Sequence, residues 1–162
     1  MANDITLTLD DEAATLACGA RFANILLPGL NINLHGDLGA GKTTFVRGVL
    51  HGLGHIGKVK SPTYTLVKIY KIELHLISDY NLYHFDLYRF MDEEEWDAAG
   101  FREYFNAQSI CMIEWPEKAA HVLPQPDIHV SLTQLSFSLD GAGRHIQFTA
   151  GSVLGQQCLN NF

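Results

Sequence analysis

Eight consecutive residues restrict this chain more than any other stretch: Gly36, Asp37, Leu38, Gly39, Ala40, Gly41, Lys42 and Thr43. A short apolar run, Ile32 to His35, precedes them. Phe45, Val46, Val49, Leu50 and Leu53 follow at helical spacing, with Gly54 as a stop. Strand, glycine-rich loop and helix with the full G-x-x-x-x-G-K-T spacing form a phosphate cradle. The glycines let the backbone curl so that successive N–H groups converge, and the helix adds the positive end of its dipole. In such a loop Lys42 reaches the β- and γ-phosphates and the Thr43 hydroxyl ligates magnesium, with Thr44 alongside. A nucleoside triphosphate with Mg2+ is therefore the expected ligand.

A phosphate cradle of this kind needs an acid at the end of an apolar strand. Two segments offer one. Ile110-Cys111-Met112-Ile113 runs into Glu114, and Tyr83-His84-Phe85 runs into Asp86. Glu114 has the stronger strand pattern and is the expected metal acid. Asp86 is then a candidate for ordering the attacking water or completing the metal shell, and the water-activating role stays open between the two. The loop Ser61-Pro62-Thr63 reads equally as a γ-phosphate-sensing switch or as a Pro-anchored turn with local hydrogen bonds.

Elsewhere the chain alternates strands and helices. Ile5 to Leu9 reads as a strand, and Asp10 or Asp11 as the cap of a helix to about Leu27. Strands are expected over Leu66 to Ile72, Leu74 to Ile77, Tyr83 to Tyr88, Ile110 to Trp115, Ile128 to Leu139 and His145 to Thr149. A helical stretch is expected from Asp92 to Ala99, a turn over Phe101 to Phe105, and a short helix opened by Pro116. Residues from about 151 give little signal. The pattern predicts an α/β, P-loop NTPase-like three-layer fold. Its central sheet should be mixed and mainly parallel, with a β-rich C-terminal part, in a single domain spanning the 162 residues.

The net charge of −7 argues against direct nucleic-acid binding, which rests on clustered Lys and Arg. No apolar run is long enough to span a membrane, and nothing at the start resembles an export signal, so the cytoplasm is expected. Cys18, Cys111 and Cys158 are widely spaced and read as small buried apolar residues. His51 and His55 lack a carboxylate to complete a metal site, and His84 is expected to pack on its strand. Arg47 is expected to face solvent and Arg89 to brace the Asp86 loop. Phe101, Tyr104 and Phe105 read as core, with a partner-docking face as the alternative.

Taken in order, four motifs resemble the TsaE (formerly YjeE) family of bacterial P-loop ATPases in tRNA threonylcarbamoyladenosine biosynthesis. They are Gly36 to Thr44, Ser61-Pro-Thr-Tyr-Thr-Leu-Val67, His84-Phe-Asp-Leu-Tyr-Arg89 and Ile113-Glu-Trp-Pro-Glu117, within roughly residues 10–130. The resemblance implies slow ATP hydrolysis and work with TsaB and TsaD, reset between turnovers by the nucleotide, with tRNA engaged only through that complex. It implies that Thr43 and Glu114 hold magnesium, that Asp86 is needed for activity, that Trp115 supports the site and that Ser61, Pro62 and Thr63 act as a switch. It also places Glu12 and Thr15 near the adenine. After Asp127 it carries nothing functional.

Three other readings compete. A regulatory GTPase would need an Asn-Lys-x-Asp guanine reader, which is absent, and Asp97-Ala-Ala-Gly100 lies in a polar helical stretch. A small-molecule kinase would need an arginine-rich lid. A binding module using nucleotide without catalysis is separated only by measuring turnover.

Overall fold

The structure, a computed structural model, describes residues 4–60, 62, 65–73, 79–136 and 141–162. Among the described residues, seven strands and four α-helices follow in chain order. They are β1 (Ile5–Leu9), α1 (Glu12–Ala23), β2 (Asn31–His35), α2 (Lys42–Gly52), β3 (Val67–Ile72), β4 (Tyr80–Asp86), α3 (Glu93–Ala98), β5 (Ser109–Glu114), β6 (Ile128–Gln134), β7 (Arg144–Ala150) and α4 (Val153–Leu159). Single 3₁₀ turns cover Phe101–Tyr104 and Pro116–Ala119.

All seven strands join one sheet in the order β1-β7-β6-β2-β5-β4-β3. The central four, β6, β2, β5 and β4, run parallel. The flanking pairs β1–β7, β7–β6 and β3–β4 are antiparallel. The sheet is thus mixed as expected, with parallel pairing confined to the strands that carry the site. Parallel strands are buried on both faces and read as near-continuous apolar runs; β5, Ser-Ile-Cys-Met-Ile-Glu, is buried at every position.

On one face lie α1, α2 and α4, sealing a core with Phe22, Phe45 and Phe148 at its centre. The two long helices approach closely. A Cβ on Gly48 of α2 would stand 2.3 Å from the Leu16 carbonyl oxygen of α1, and one on Gly19 would stand 2.5 Å from that of Phe45. The other face is covered over β4 and β5 by α3 and the Phe101–Tyr104 turn. Trp96, Phe101, Tyr104 and Phe105 pack there on Tyr83 and Phe85, so Phe101, Tyr104 and Phe105 belong to a core.

Several expected boundaries move. The first helix stops at Ala23 rather than near Leu27, because the Asn24 and Ile25 amides turn back to Arg21 and Phe22; Ile25 and Leu26 stay buried without being helical. The strand expected from Tyr83 to Tyr88 runs from Tyr80 to Asp86, where the Leu87 amide makes the last ladder bond, to the Glu114 carbonyl of β5. The strand expected to reach Leu139 ends at Gln134. The segment from 151 is helical: Ser152 caps α4 by accepting from the Gly155 amide while its hydroxyl donates to Asp127 at 2.7 Å. The strand expected at Leu74 to Ile77 lies outside the described residues, as does Leu139.

Candidate functional site

Three parallel strands end at one level. Leu34 of β2 is in register with Glu114 of β5, and Glu114 with Asp86 of β4. The chain leaves β2 through the glycine loop and enters α2 at Lys42, so the first turn of α2 faces two strand-end acids. Gly39 and Gly41 hold φ of +78° and +101°, which favour glycine. Leu38, Gly39, Gly41, Lys42, Thr43, Thr44, Asp86, Glu114, Trp115 and Arg144 line a cavity of about 300 Å³. A second cavity, of about 320 Å³ between Lys71, Tyr80, Asn81 and Ser109, lies at the opposite ends of β4 and β5 and contains none of the motif residues.

The Thr43 hydroxyl donates to Glu114 Oε2 at 3.0 Å. A hydroxyl and a carboxylate converging at the foot of a phosphate cradle are the hard-oxygen donors that magnesium selects, so the residues present fit that ion. Glu114 is 3% exposed, and a buried carboxylate must be paired. Its other partner is His84 Nε2, 2.5 Å from Glu114 Oε2 and fully buried. His84 Nδ1 has no partner among the described residues. The tautomer carrying its hydrogen on Nε2 therefore satisfies both observations, since it leaves only an acceptor unpaired. His84 packs on its strand as expected and also fixes the acid, a role the alternation of β4 did not reveal.

Lys42 is also buried. Burial pushes its ammonium below the ordinary lysine value, and Glu114, Glu117, Asp86 and Asp37 pull it back. It donates to the Gly36 carbonyl and stands 3.8 Å above the Trp115 ring centroid, a cation–π contact. Trp115 adopts φ +58°, a left-handed conformation that costs a non-glycine residue about 1–2 kcal/mol. Pro116 at the start of the following 3₁₀ turn and Tyr88, 5.0 Å away ring to ring, hold it there. Asp86 accepts from the Tyr88 amide at 3.1 Å, and its own amide donates to the Leu66 carbonyl. Leu66 has φ +64° and donates its amide to Pro62. The described end of the expected switch loop is thus tied to Asp86; Ser61 and Thr63 lie outside the described residues.

Of the other expected residues, Leu38 lines the cradle cavity, while Asp37, Glu12, Thr15 and Arg89 are not among its lining residues. Asp37 and Leu38 are exposed in the loop. Glu12, at the start of α1, lies 3.7 Å from Arg47. Thr15 is 2% exposed with its hydroxyl turned to the Asp11 carbonyl. Arg47 does not simply face solvent: it also donates to the Val59 carbonyl at 3.4 Å, tying the loop after α2 to both helices. Arg89 is exposed. Behind the cradle, His35 Nε2 and His129 Nδ1 are 2.9 Å apart in stacked rings. Arg144, from β7, was missed altogether. It donates to the carbonyls of Ala40 and Gly39 at 2.8 Å each, and no local pattern links β7 to the glycine loop.

A mixed sheet whose central parallel strand β2 opens into this cradle, faced by the strand-end acids of β5 and β4, defines a P-loop protein. The sequence model described as "Threonylcarbamoyl adenosine biosynthesis protein TsaE" matches residues 9–142. The chain is 46% identical to the tRNA threonylcarbamoyladenosine biosynthesis protein TsaE of Haemophilus influenzae, over 98% of this chain and 97% of that protein. It is 37% identical to the Bacillus subtilis protein of the same name, over 90% and 83% respectively. The crystal structure of Bacillus subtilis YdiB superposes with a TM-score of 0.80 at 29% identity, over 99% of this chain and 94% of that one. The chain belongs to the TsaE family.

Proposed function

We propose that this protein is a magnesium-dependent ATPase, slow on its own, that serves tRNA N6-threonylcarbamoyladenosine formation together with TsaB and TsaD. The reading is carried by the convergence of Lys42, Thr43 and Glu114 on one cavity at the mouth of α2. Family membership supports the pathway. The net charge of −7 supports a role in which a partner, rather than this chain, holds the tRNA. Among the described residues no helix is long and apolar enough to cross a membrane; we take the site of action to be the cytoplasm.

Each residue has a task. The amides of the loop and of the first turn of α2 bind phosphate oxygens. Lys42, released from the Gly36 carbonyl, would bind the β- and γ-phosphates. Thr43 and Glu114 would hold magnesium, which when bound offsets the charge of the phosphate oxygens. His84 keeps Glu114 in place. With Glu114 engaged by Thr43 and His84, Asp86 is assigned the orienting of the attacking water. Trp115 roofs Lys42 and excludes solvent. A cation supplied in trans can be worth about 10³–10⁵ in rate, which agrees with partner-dependent turnover.

The test is ATP hydrolysis by wild type, Lys42→Ala and Glu114→Ala, each alone and with TsaB and TsaD in magnesium. The wild type should accelerate with the partners and both variants should lose turnover. Turnover that ignores the partners would remove the partner assignment. Full activity in Glu114→Ala would move the metal to Asp86.

A further inference from the structure

Arg144 lies two residues beyond the stretch matched by the family model, which ends at 142, yet its guanidinium is committed to the phosphate cradle. Nε donates to the Ala40 carbonyl and Nη2 to that of Gly39, both at 2.8 Å. Nη1 donates to Gly141 at 2.7 Å and to Gly143 at 2.8 Å. One side chain thus joins Gly141 and Gly143, just ahead of β7, to the glycine loop, using four of its five N–H groups.

Peptide planarity gives this contact a consequence. In a trans peptide the C=O and N–H point in opposite directions. Holding the Gly39 carbonyl aims the Ala40 amide at Asp37, which it meets at 3.0 Å. Holding the Ala40 carbonyl turns the Gly41 amide the other way, where it has no acceptor among the described residues. Without Arg144, exposed Gly39 and half-buried Gly41 could rotate to many backbone states at little cost. The contact is close: a Cβ on Gly41 would stand 3.3 Å from Arg144 Nε.

We infer that Arg144 is a positioning residue of the phosphate site, clipping the Gly39 and Ala40 carbonyls so that the glycine loop is set for phosphate before the ligand arrives. The inference rests on the nucleotide-binding reading above. Because the clip acts on the loop and not on the terminal phosphate, it favours diphosphate and triphosphate alike.

Two measurements test it on the full chain. In the first, amide hydrogen exchange is followed over residues 36–44 without nucleotide. Arg144→Ala should speed exchange there while the sheet amides and the thermal midpoint hold, and Arg144→Lys should recover part of the protection. In the second, calorimetry with magnesium and either ADP or ATPγS should show both ligands weakened about tenfold in Arg144→Ala, with their ratio unchanged. Loss for ATPγS alone would overturn the clip and make Arg144 a reader of the terminal phosphate. Unchanged exchange over residues 36–44 would overturn it as well. If Arg144→Ala does not fold, Arg144→Lys and Arg144→Gln carry the same comparison. A wild type that binds neither nucleotide sinks the nucleotide reading, while the exchange experiment still decides the clip.

Discussion

Where α2 crosses α1, backbone meets backbone through Gly48 and Gly19, with no side chain between. Over β4 and β5 the opposite layer meets the sheet through rings: Trp96, Phe101, Tyr104 and Phe105 stack on Phe85 and Tyr83. The first layer carries the phosphate cradle at the mouth of α2. The second flanks the turns that set Asp86, Glu114 and Trp115. One half of the site therefore hangs on a close helix contact that admits no extra atom, and the other on aromatic packing that is dense but made of separable pieces.

That contrast can be broken by removing a ring. Trp96 is fully buried among four aromatic neighbours, so Trp96→Ala should cost about 3–5 kcal/mol. Urea unfolding would show it, and a loss of no more than about 0.5 kcal/mol, the level of ordinary surface changes, would mean that this layer is not a packed core. Adding one methyl group tests the other layer. Alanine normally gains about 1 kcal/mol over glycine inside a helix. In Gly48→Ala the new Cβ meets the Leu16 carbonyl at 2.3 Å, and backbone cannot rotate away, so a net loss of about 2–3 kcal/mol is expected. A neutral or stabilised variant would show that the helices part easily and would end the comparison.

A smaller effect separates the acid from its surroundings. His84→Leu leaves the buried Glu114 without its Nε2 donor, while Thr43 remains. The expected loss is about 1–3 kcal/mol, together with weaker magnesium binding measured by titration of the metal alone. His84→Gln, which offers an N–H again, should recover part of both. Equal losses in the two variants would mean that ring volume rather than the hydrogen bond matters at this position.

How much of this could be read from the sequence follows the range of the contacts. The cradle and α2 are contiguous, so glycines, lysine, threonine and helical spacing announced them together. Glu114 and Asp86 ended apolar runs and were found as strand-end acids; that they share a level required the β2–β5–β4 register, which no local pattern carries. His84 was hidden because an inward histidine on a strand looks like any packed residue until its partner is known. Arg144 was hidden because it is 104 residues from Ala40 in the chain. The overlong first helix came from apolar Ile25 and Leu26, which are buried by the fold rather than by helical periodicity. The last helix was legible in retrospect, since Ser152 stands as a cap before an apolar stretch.

The smallest effect concerns the polar underside of the cradle, where half-buried His35 and His129 meet. His35 precedes Gly36 directly, and burial, followed by repulsion from His129 of β6, holds its imidazole below the usual value. Glu117 of the Pro116–Ala119 turn opposes this, and Lys42 of α2 adds to it. An unfolded histidine titrates near pH 6.5. Between that value and the lower one of the folded state, the unfolded chain binds a proton that the fold rejects, so stability rises with pH across the window. The contribution is complete above about pH 6.5 and is lost as the pH falls below it. Urea midpoints measured from about pH 5.5 to 7.5 should therefore fall on the acid side in wild type and fall less in His35→Gln, which cannot take the proton. If the two chains lose stability in parallel, the histidine pair is not strained by protonation, and the underside of the cradle is as indifferent to charge as an ordinary surface.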